Sequence, residues 1–325
     1  MRAFAHFNAR TLDEAVSILR RYEGGAQVIA GGTDLLGKMK DEILPKYPAA
    51  IVNLKTIPGL EYIKEESQTL KIGALTRLED LATHQILIKD YSALAEAAGR
   101  AASPHLREMA TLGGNVCQDV RCWYYRNPNN RFPCLRKGGG RCYAEEGENR
   151  YHSIFGGSVE KKGCLAVHPS DTVPALIALD AKVKTSKRTL GAENLFDVRV
   201  RKTTVLELDE IVTEFEVPAP PGGRKSAFVK FALRKSIDFP IVNCAAMIDS
   251  KGGKVTAARV CLNAVYVKPY RARKAEDFMV GKEINEANAE TAGETAVADA
   301  QPLGHNGYMV QIAKVMVKRA ILACR

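Results

Sequence analysis

The sequence predicts a two-domain protein of mixed helices and strands, and three observations carry this. The chain has 325 residues, against roughly 150 for an average domain. Short apolar runs of strand and helix character alternate up to about residue 217. The stretch from Pro218 to Gly223, rich in Pro and Gly, then separates them from three consecutive strand-like runs and a closing helix.

Residues 11–23 read as a helix, with Thr11 as its cap and Glu14 as the capping-box partner. Leu12, Val16 and Leu19 form its apolar stripe. The β-branched run Val28-Ile29-Ala30 leads into a glycine turn, Gly31-Gly32-Thr33-Asp34. Residues 49–57 and 69–76 read as strands, 75–84 as a helix start, and the Ala-rich 88–102 as one helix stopped by Pro104. A second glycine turn is expected at 111–116. Residues 118–167 have no period, and so long an irregular segment inside a domain needs either disorder or an internal cross-link. Ordinary texture resumes at 168–183, and 205–217 reads as a strand. After the linker, 226–235, 241–249 and 254–265 read as strands, the last two joined by a turn at Ser250 to Gly253. The closing helix, 307–325, has Met309, Ile312, Met316, Ala320 and Ala323 along one side.

Composition narrows the function classes. A hydrophobic share of 46% with 26% charged residues excludes a disordered chain. No secretory leader is read at the N-terminus, and no apolar run approaches the ~18 residues of a membrane span. The protein is therefore expected to be cytoplasmic, with reduced cysteines. The formal charge of +10 points to an anionic ligand, an acidic partner or nucleic acid without choosing among them.

Five of the eight cysteines, Cys117, Cys122, Cys134, Cys142 and Cys164, fall within 48 residues, the last four inside the irregular segment. The last four are separated by 11, 7 and 21 residues. None forms a CxxC pair, which weakens a structural zinc reading. Iron–sulfur clusters take four thiolates at variable spacings, so iron–sulfur, zinc and unliganded thiols all stand on spacing alone. Arg121, Arg126, Arg131, Arg136, Lys137 and Arg141 surround these cysteines, with no acidic residue between 121 and 141. Such cations suit an anionic cluster, or a solvated basic loop. The six histidines, His6, His84, His105, His152, His168 and His305, show no ligand motif and read as surface or hydrogen-bonded core residues.

The two glycine turns let backbone N–H groups approach an anion closely. Neither is a GxGxxG motif, and no P-loop is present.

Four motifs together, AGGTDL at 30–35, ATLGGN at 110–115, SDTVPAL at 170–176 and VKFALRKSIDFP at 229–240, resemble the FAD-binding subunit of the molybdenum hydroxylase family. That family includes xanthine dehydrogenase and carbon monoxide dehydrogenase. The resemblance implies an α+β fold. A PCMH-type FAD-binding domain of two α/β subdomains would occupy 1–218, and a smaller C-terminal α+β domain with a three-stranded sheet 224–325. It also implies site roles. Ala30, Gly31, Gly32, Thr33, Asp34 and Leu35 would wrap the FAD pyrophosphate, and Thr111, Gly114 and Asn115 would form a second pyrophosphate loop. Ala101 and Ala102 would lie near the adenine or ribityl side. Asp171 would hydrogen-bond a cofactor hydroxyl. Val212 and Lys230 would sit at the isoalloxazine ring.

In ordinary members of that family the GGN and Ser-Asp motifs are a few residues apart; here Asn115 and Ser170 are separated by 54 positions. LGGNVCQDVRC at 112–122 and the seven-residue gap from Cys134 to Cys142 resemble the branch containing the β subunit of 4-hydroxybenzoyl-CoA reductase. That branch carries a [4Fe-4S] insertion. The resemblance thus implies an inserted loop at about 118–167 with Cys122, Cys134, Cys142 and Cys164 as cluster ligands. The implied function is electron transfer between a carrier such as ferredoxin and two partners, a [2Fe-2S] small subunit and a molybdopterin large subunit. In that branch electrons run towards removal of a phenolic hydroxyl. The alternatives are the FAD subunit of an oxidative molybdenum hydroxylase, or a four-cysteine zinc protein binding nucleic acid. The insertion is expected to be modular, so that loss of Cys134 would remove iron and leave flavin.

Overall fold

The computed structural model describes residues 1–157, 163–198 and 200–325. Residues 158–162, within the expected insertion, lie outside the described residues. The chain begins with β1 (Ala5–Asn8), α1 (Leu12–Arg21), β2 (Ala26–Ile29), α2 (Leu35–Lys40) and β3 (Ala50–Asn53). The three strands form a parallel sheet in the order β1-β3-β2. Thr11 caps α1, its hydroxyl accepting from the Glu14 amide at 3.1 Å. Ala15, Ile18 and Leu19 bury the helix's inner face against Ala50 and Val52. Val28, apolar but exposed, faces away from that core.

A second sheet contains β4 (Ile63–Glu66) and β5 (Thr69–Gly73). Five helices follow: α3 (Leu78–Thr83), α4 (Gln85–Asp90), α5 (Ser92–Gly99), α6 (Pro104–Arg107) and α7 (Leu112–Val116). The helix expected over 88–102 is split at Tyr91, whose ring is buried (1% exposed). The second glycine turn is a correction: Gly113 and Gly114 lie inside α7, capped by the Thr111 hydroxyl on the Gly114 amide at 3.1 Å. After the insertion come α8 (Thr172–Ala178), β6 (Lys182–Thr185), β7 (Thr189–Gly191) and β8 (Val212–Pro218). The expected strand over 205–217 is therefore only its second half. These strands complete an antiparallel sheet ordered β4-β5-β8-β6-β7.

The C-terminal part comprises β9 (Arg224–Phe231), β10 (Val242–Lys251), β11 (Lys254–Asn263), β12 (Tyr270–Arg271), α9 (Arg273–Met279), α10 (Glu286–Ala296) and α11 (Gly307–Leu322). Its sheet runs β12-β11-β10-β9, so the expected three strands gain a two-residue fourth at the edge. One face of this sheet carries α9, α10 and α11 on Cys244, Ala246, Ile248, Val260 and Leu262. The other face, through Phe228, Ala245, Met247 and Cys261, joins the core of α5, α8 and β8. Successive strand residues point to opposite faces, so this alternation packs one sheet into two cores. Along α11 the buried residues are Met309, Ala313, Met316, Val317, Ala320 and Ile321, while Ala323 is exposed.

Candidate functional site

The two glycine segments meet. A Cβ on Gly31 would lie 1.9 Å from the Met109 carbonyl oxygen, so glycine is required there by backbone approach. Gly32 has a φ of +74°, a left-handed conformation that side chains disfavour. Lys55 Nζ holds the Ala30 carbonyl at 2.7 Å. The amides of Gly31, Gly32, Thr33 and Asp34 have no acceptor among the described residues. They border a cleft with two lobes of about 450 and 240 Å³. Thr33, Asp34, Lys38, Gly114 and Gln118 line both lobes. Free backbone donors beside a cavity form an anion cradle.

The second segment works differently from expectation. The Leu112 and Gly113 amides donate to the Thr76 and Ala74 carbonyls, both at 2.9 Å, so that backbone is already used. Asn115 is instead aimed by its side chain. Its Oδ1 accepts from the Ser170 hydroxyl at 2.5 Å and the Thr172 hydroxyl at 2.7 Å, which leaves its Nδ2 as a donor at the cleft wall.

The remaining cleft residues come from distant elements. Ala101, Ala102 and Asp171 line the larger lobe; Ala30, Leu35, Thr111 and Val212 line the smaller. Asp171 is held by Lys230 Nζ and Asn243 Nδ2, each at 2.7 Å. Burial pushes its carboxyl above the usual range despite Lys230. Lys230 therefore reaches the cleft through Asp171. Sequence reasoning missed Lys38, Gln118, Arg121 and the stretch Ile237-Asp238-Phe239, all of which line the larger lobe. The exposed apolar Ile237 and Phe239 were the available signal, inside a motif already noted. Phe239 carries the Arg121 guanidinium 4.0 Å above its ring.

The start of the irregular segment 118–167 forms a wall of this cleft. Asp34 binds Arg121 at 3.0 Å, Arg126 at 2.8 Å and the Asp119 amide at 3.0 Å. Asp119 binds Arg136 at 2.8 Å, Lys38 at 3.4 Å and the Tyr125 hydroxyl. Burial would raise both carboxyls, but the neighbouring cations outweigh it and hold both below the ordinary range. The reading of a solvated basic loop is thereby corrected for Arg121, Arg126 and Arg136. Asp34 and Asp119 lie outside the 121–141 window, so the sequence concealed their partnership. Arg131 and Arg141 are exposed and lie against Phe132 and Tyr143.

The eight cysteines, all among the described residues, form no disulfide. They sort into groups by which thiols influence one another. Cys122 senses Cys164 and Cys142; Cys142 senses Cys134; Cys164 senses Cys142 and Cys134. Cys117 senses none, while Cys244, Cys261 and Cys324 form a separate set in the C-terminal sheet and helix. Burial pushes Cys122 up to about 12 and Cys164 up to about 11. Backbone amides point at these sulfurs: Tyr125 and Tyr124 at Cys122, Leu165 and Ala144 at Cys142, Ala166 at Cys164. Lys137 Nζ is buried and without a hydrogen-bond partner among the described residues, facing Cys134 and Cys122. No three His, Cys, Asp or Glu side chains among the described residues are gathered closely enough to hold one metal ion. No described helix is long and apolar enough to cross a membrane.

Residues 2–220 match the FAD binding domain in molybdopterin dehydrogenase, and residues 227–324 the CO dehydrogenase flavoprotein C-terminal domain. The aldehyde oxidoreductase FAD-binding subunit PaoB of Escherichia coli (strain K12) is 33% identical over 324 residues, 97% of this chain and 96% of that one. The carbon monoxide dehydrogenase medium chain of Hydrogenophaga pseudoflava is 27% identical over 98% and 96%. The solved carbon monoxide dehydrogenase from Hydrogenophaga pseudoflava, lacking the Mo-pyranopterin moiety of its cofactor, superposes with a TM-score of 0.77 at 26% identity. It covers 99% of this chain and 97% of that one. These matches span both parts of the molecule, and the chain belongs to the molybdopterin dehydrogenase family as an FAD-binding oxidoreductase subunit.

Proposed function

We propose that this chain is an electron-relay subunit holding FAD in the two-lobed cleft and a [4Fe-4S] cluster on Cys122, Cys134, Cys142 and Cys164. It would act in a cytoplasmic complex with a molybdopterin large subunit and a [2Fe-2S] small subunit. The observation that carries the cluster is the mutual electrostatic influence of these four thiols, separate from Cys117 and the C-terminal three, beside amide donors and a Lys137 ammonium without a hydrogen-bond partner among the described residues. A buried cation without a counter-charge is costly, and a four-thiolate cluster is anionic. A single tetrahedral zinc would need the sulfurs about 3.8 Å apart, and no such close group is present among the described residues. In a cluster each thiolate binds a different iron, so wider spacing fits.

In the cleft, the free amides of Gly31 to Asp34 suit a pyrophosphate, and Asn115 Nδ2 adds a second donor. Ala101 and Ala102, with no side chain beyond Cβ, leave room for the adenine or ribityl portion. Asp171, positioned by Lys230 and Asn243, is an acceptor for a hydroxyl. Val212 borders the smaller lobe, which would take the isoalloxazine ring, whereas Lys230, expected beside that ring, meets the larger lobe through Asp171. When bound, FAD and the cluster supply two-electron and one-electron transfer. The protein's part is to hold them on two sides of the Asp34–Arg121–Arg126–Asp119 network.

Two directions of electron flow have support. The likeness of the insertion to the 4-hydroxybenzoyl-CoA reductase branch supports entry from ferredoxin. The name of the 33% identical relative, an aldehyde oxidoreductase, favours the oxidative direction. Anaerobic mixing of the complex with an aldehyde or with reduced ferredoxin separates them: the productive donor bleaches the flavin absorbance. For the cluster, iron and acid-labile sulfide are expected in the purified protein and zinc is not. Cys134→Ser is expected to lose most iron while keeping flavin, because Arg121 and Arg126 are held by Asp34 independently of Cys134. Equal loss of both would show that the cleft wall depends on the cluster. Absence of iron from the unaltered protein would end the cluster reading.

A further inference from the structure

His152 was expected to be a surface or hydrogen-bonded core residue. It is 1% exposed, and its Nε2 lies 3.2 Å from Cys122 Sγ. The backbone that carries the ring is fixed from both sides. The His152 amide donates to the Asn149 carbonyl at 3.0 Å, and the next amide, of Ser153, to Leu165 at 2.9 Å. Asn306, just ahead of α11, donates to the carbonyls of His152 and Ser153 at 3.0 and 3.1 Å. The Tyr124 ring is 6.1 Å away.

This arrangement selects one tautomer. A metal-bound Cys122 thiolate carries no proton and can only accept, and a proton on Nδ1 would set the Nε2 lone pair against the sulfur lone pairs. The proton therefore belongs on Nε2, where it donates to a metal-bound Cys122 thiolate.

We infer that His152 tunes the reduction potential of the proposed cluster through an Nε2–H···Sγ hydrogen bond to Cys122. The inference rests on the cluster reading above. Cys122 already receives the Tyr125 amide at 3.5 Å, and the imidazole adds a side-chain donor. Donors to a ligand sulfur withdraw electron density from the irons and favour the reduced form. His152 is a positioning residue here, acting through the sulfur without binding iron.

The test compares His152→Phe, which keeps a ring without a donor, and His152→Gln, which keeps a donor, in the full-length chain purified with its co-purifying subunits. Iron, sulfide and flavin contents are measured first, then the cluster potential by titration followed by electron paramagnetic resonance. His152→Phe is expected to retain iron and lower the one-electron equilibrium constant about tenfold, or about 59 mV, while His152→Gln recovers part of the shift. An unmoved potential in an iron-replete His152→Phe overturns the inference and leaves the cluster reading intact. Loss of iron from both variants also overturns it, by making His152 a ligand or a structural support. Iron absent from the unaltered protein overturns the cluster reading itself.

Discussion

At Gly31 the space for one methyl group is already occupied. The Met109 carbonyl oxygen lies 1.9 Å from where a Cβ would stand, and a backbone atom cannot rotate away. Gly31→Ala is therefore expected to force the two segments apart, at about 1–3 kcal/mol as for other overpacked sites. Thermal unfolding should show a lower Tm, and bound flavin should fall because the amide cradle shifts with the backbone. Full flavin content at an unchanged Tm would contradict this packing. The sequence showed that glycine mattered here, and anion approach was the reason it offered. Contact with a residue 78 positions away was not legible, because nothing local in Met109 announces it. Conversely, Gly114 looked like a cradle residue, yet its amide is spent on the Thr111 cap.

Among elements, the irregular segment 118–167 ties distant parts of the chain together. Its first turn is tied to α2 and to the loop ahead of it through Lys38, Asp34 and Asp119. Arg136 is nearly fully buried, with Asp119 and the Thr203 hydroxyl as its side-chain partners. Removing one member of a buried ion pair leaves the other charge uncompensated, at about 3–5 kcal/mol. Asp119→Asn is expected to destabilise the protein by that order. The pH dependence has a definite sign. Burial raises the Asp119 carboxyl, but Lys38, Arg136 and Arg126 reverse this and hold it well below the usual carboxylate range. Such a group contributes stability that is complete above its unfolded value of about 4 and is lost as pH falls through the folded value. The Tm difference between the unaltered protein and Asp119→Asn should be constant above about pH 5 and shrink below about pH 4. A difference that grows in acid would contradict the network. The helix over 88–102 and the strand over 205–217 were each read too long, since local propensity does not register the buried Tyr91 or the turn before Val212.

For the whole molecule, the two parts share cores. Phe228, Ala245, Met247 and Cys261 of the C-terminal sheet are buried with α5 and α8, and Ile154 of the insertion is buried with the C-terminal helices. The Lys230–Asp171 pair, at 2.7 Å with both side chains largely buried, adds a polar tie across the same seam. Cutting at the Pro218–Gly223 linker would expose this apolar surface. The intact chain is therefore expected to unfold in one calorimetric transition, and the fragment 224–325 alone to aggregate. Two well-separated transitions would contradict a shared core.

Local features were sufficient for part of this. Turn residues, β-branched runs, the Thr11 cap and the apolar period of the last helix are properties of neighbouring residues. They therefore locate elements and the linker from sequence alone. Four motifs in a fixed order likewise pointed to the family, and the gap between two of them set the irregular segment apart. Long-range electrostatics and packing were decided only by the tertiary structure. Asp34 and Asp119 become partners of Arg121, Arg126 and Arg136, and His152 arrives beside Cys122, 30 positions distant. One β-sheet face serves a second core. Each depends on groups far apart in the chain sharing a low-dielectric interior, and residue order alone carries no distance.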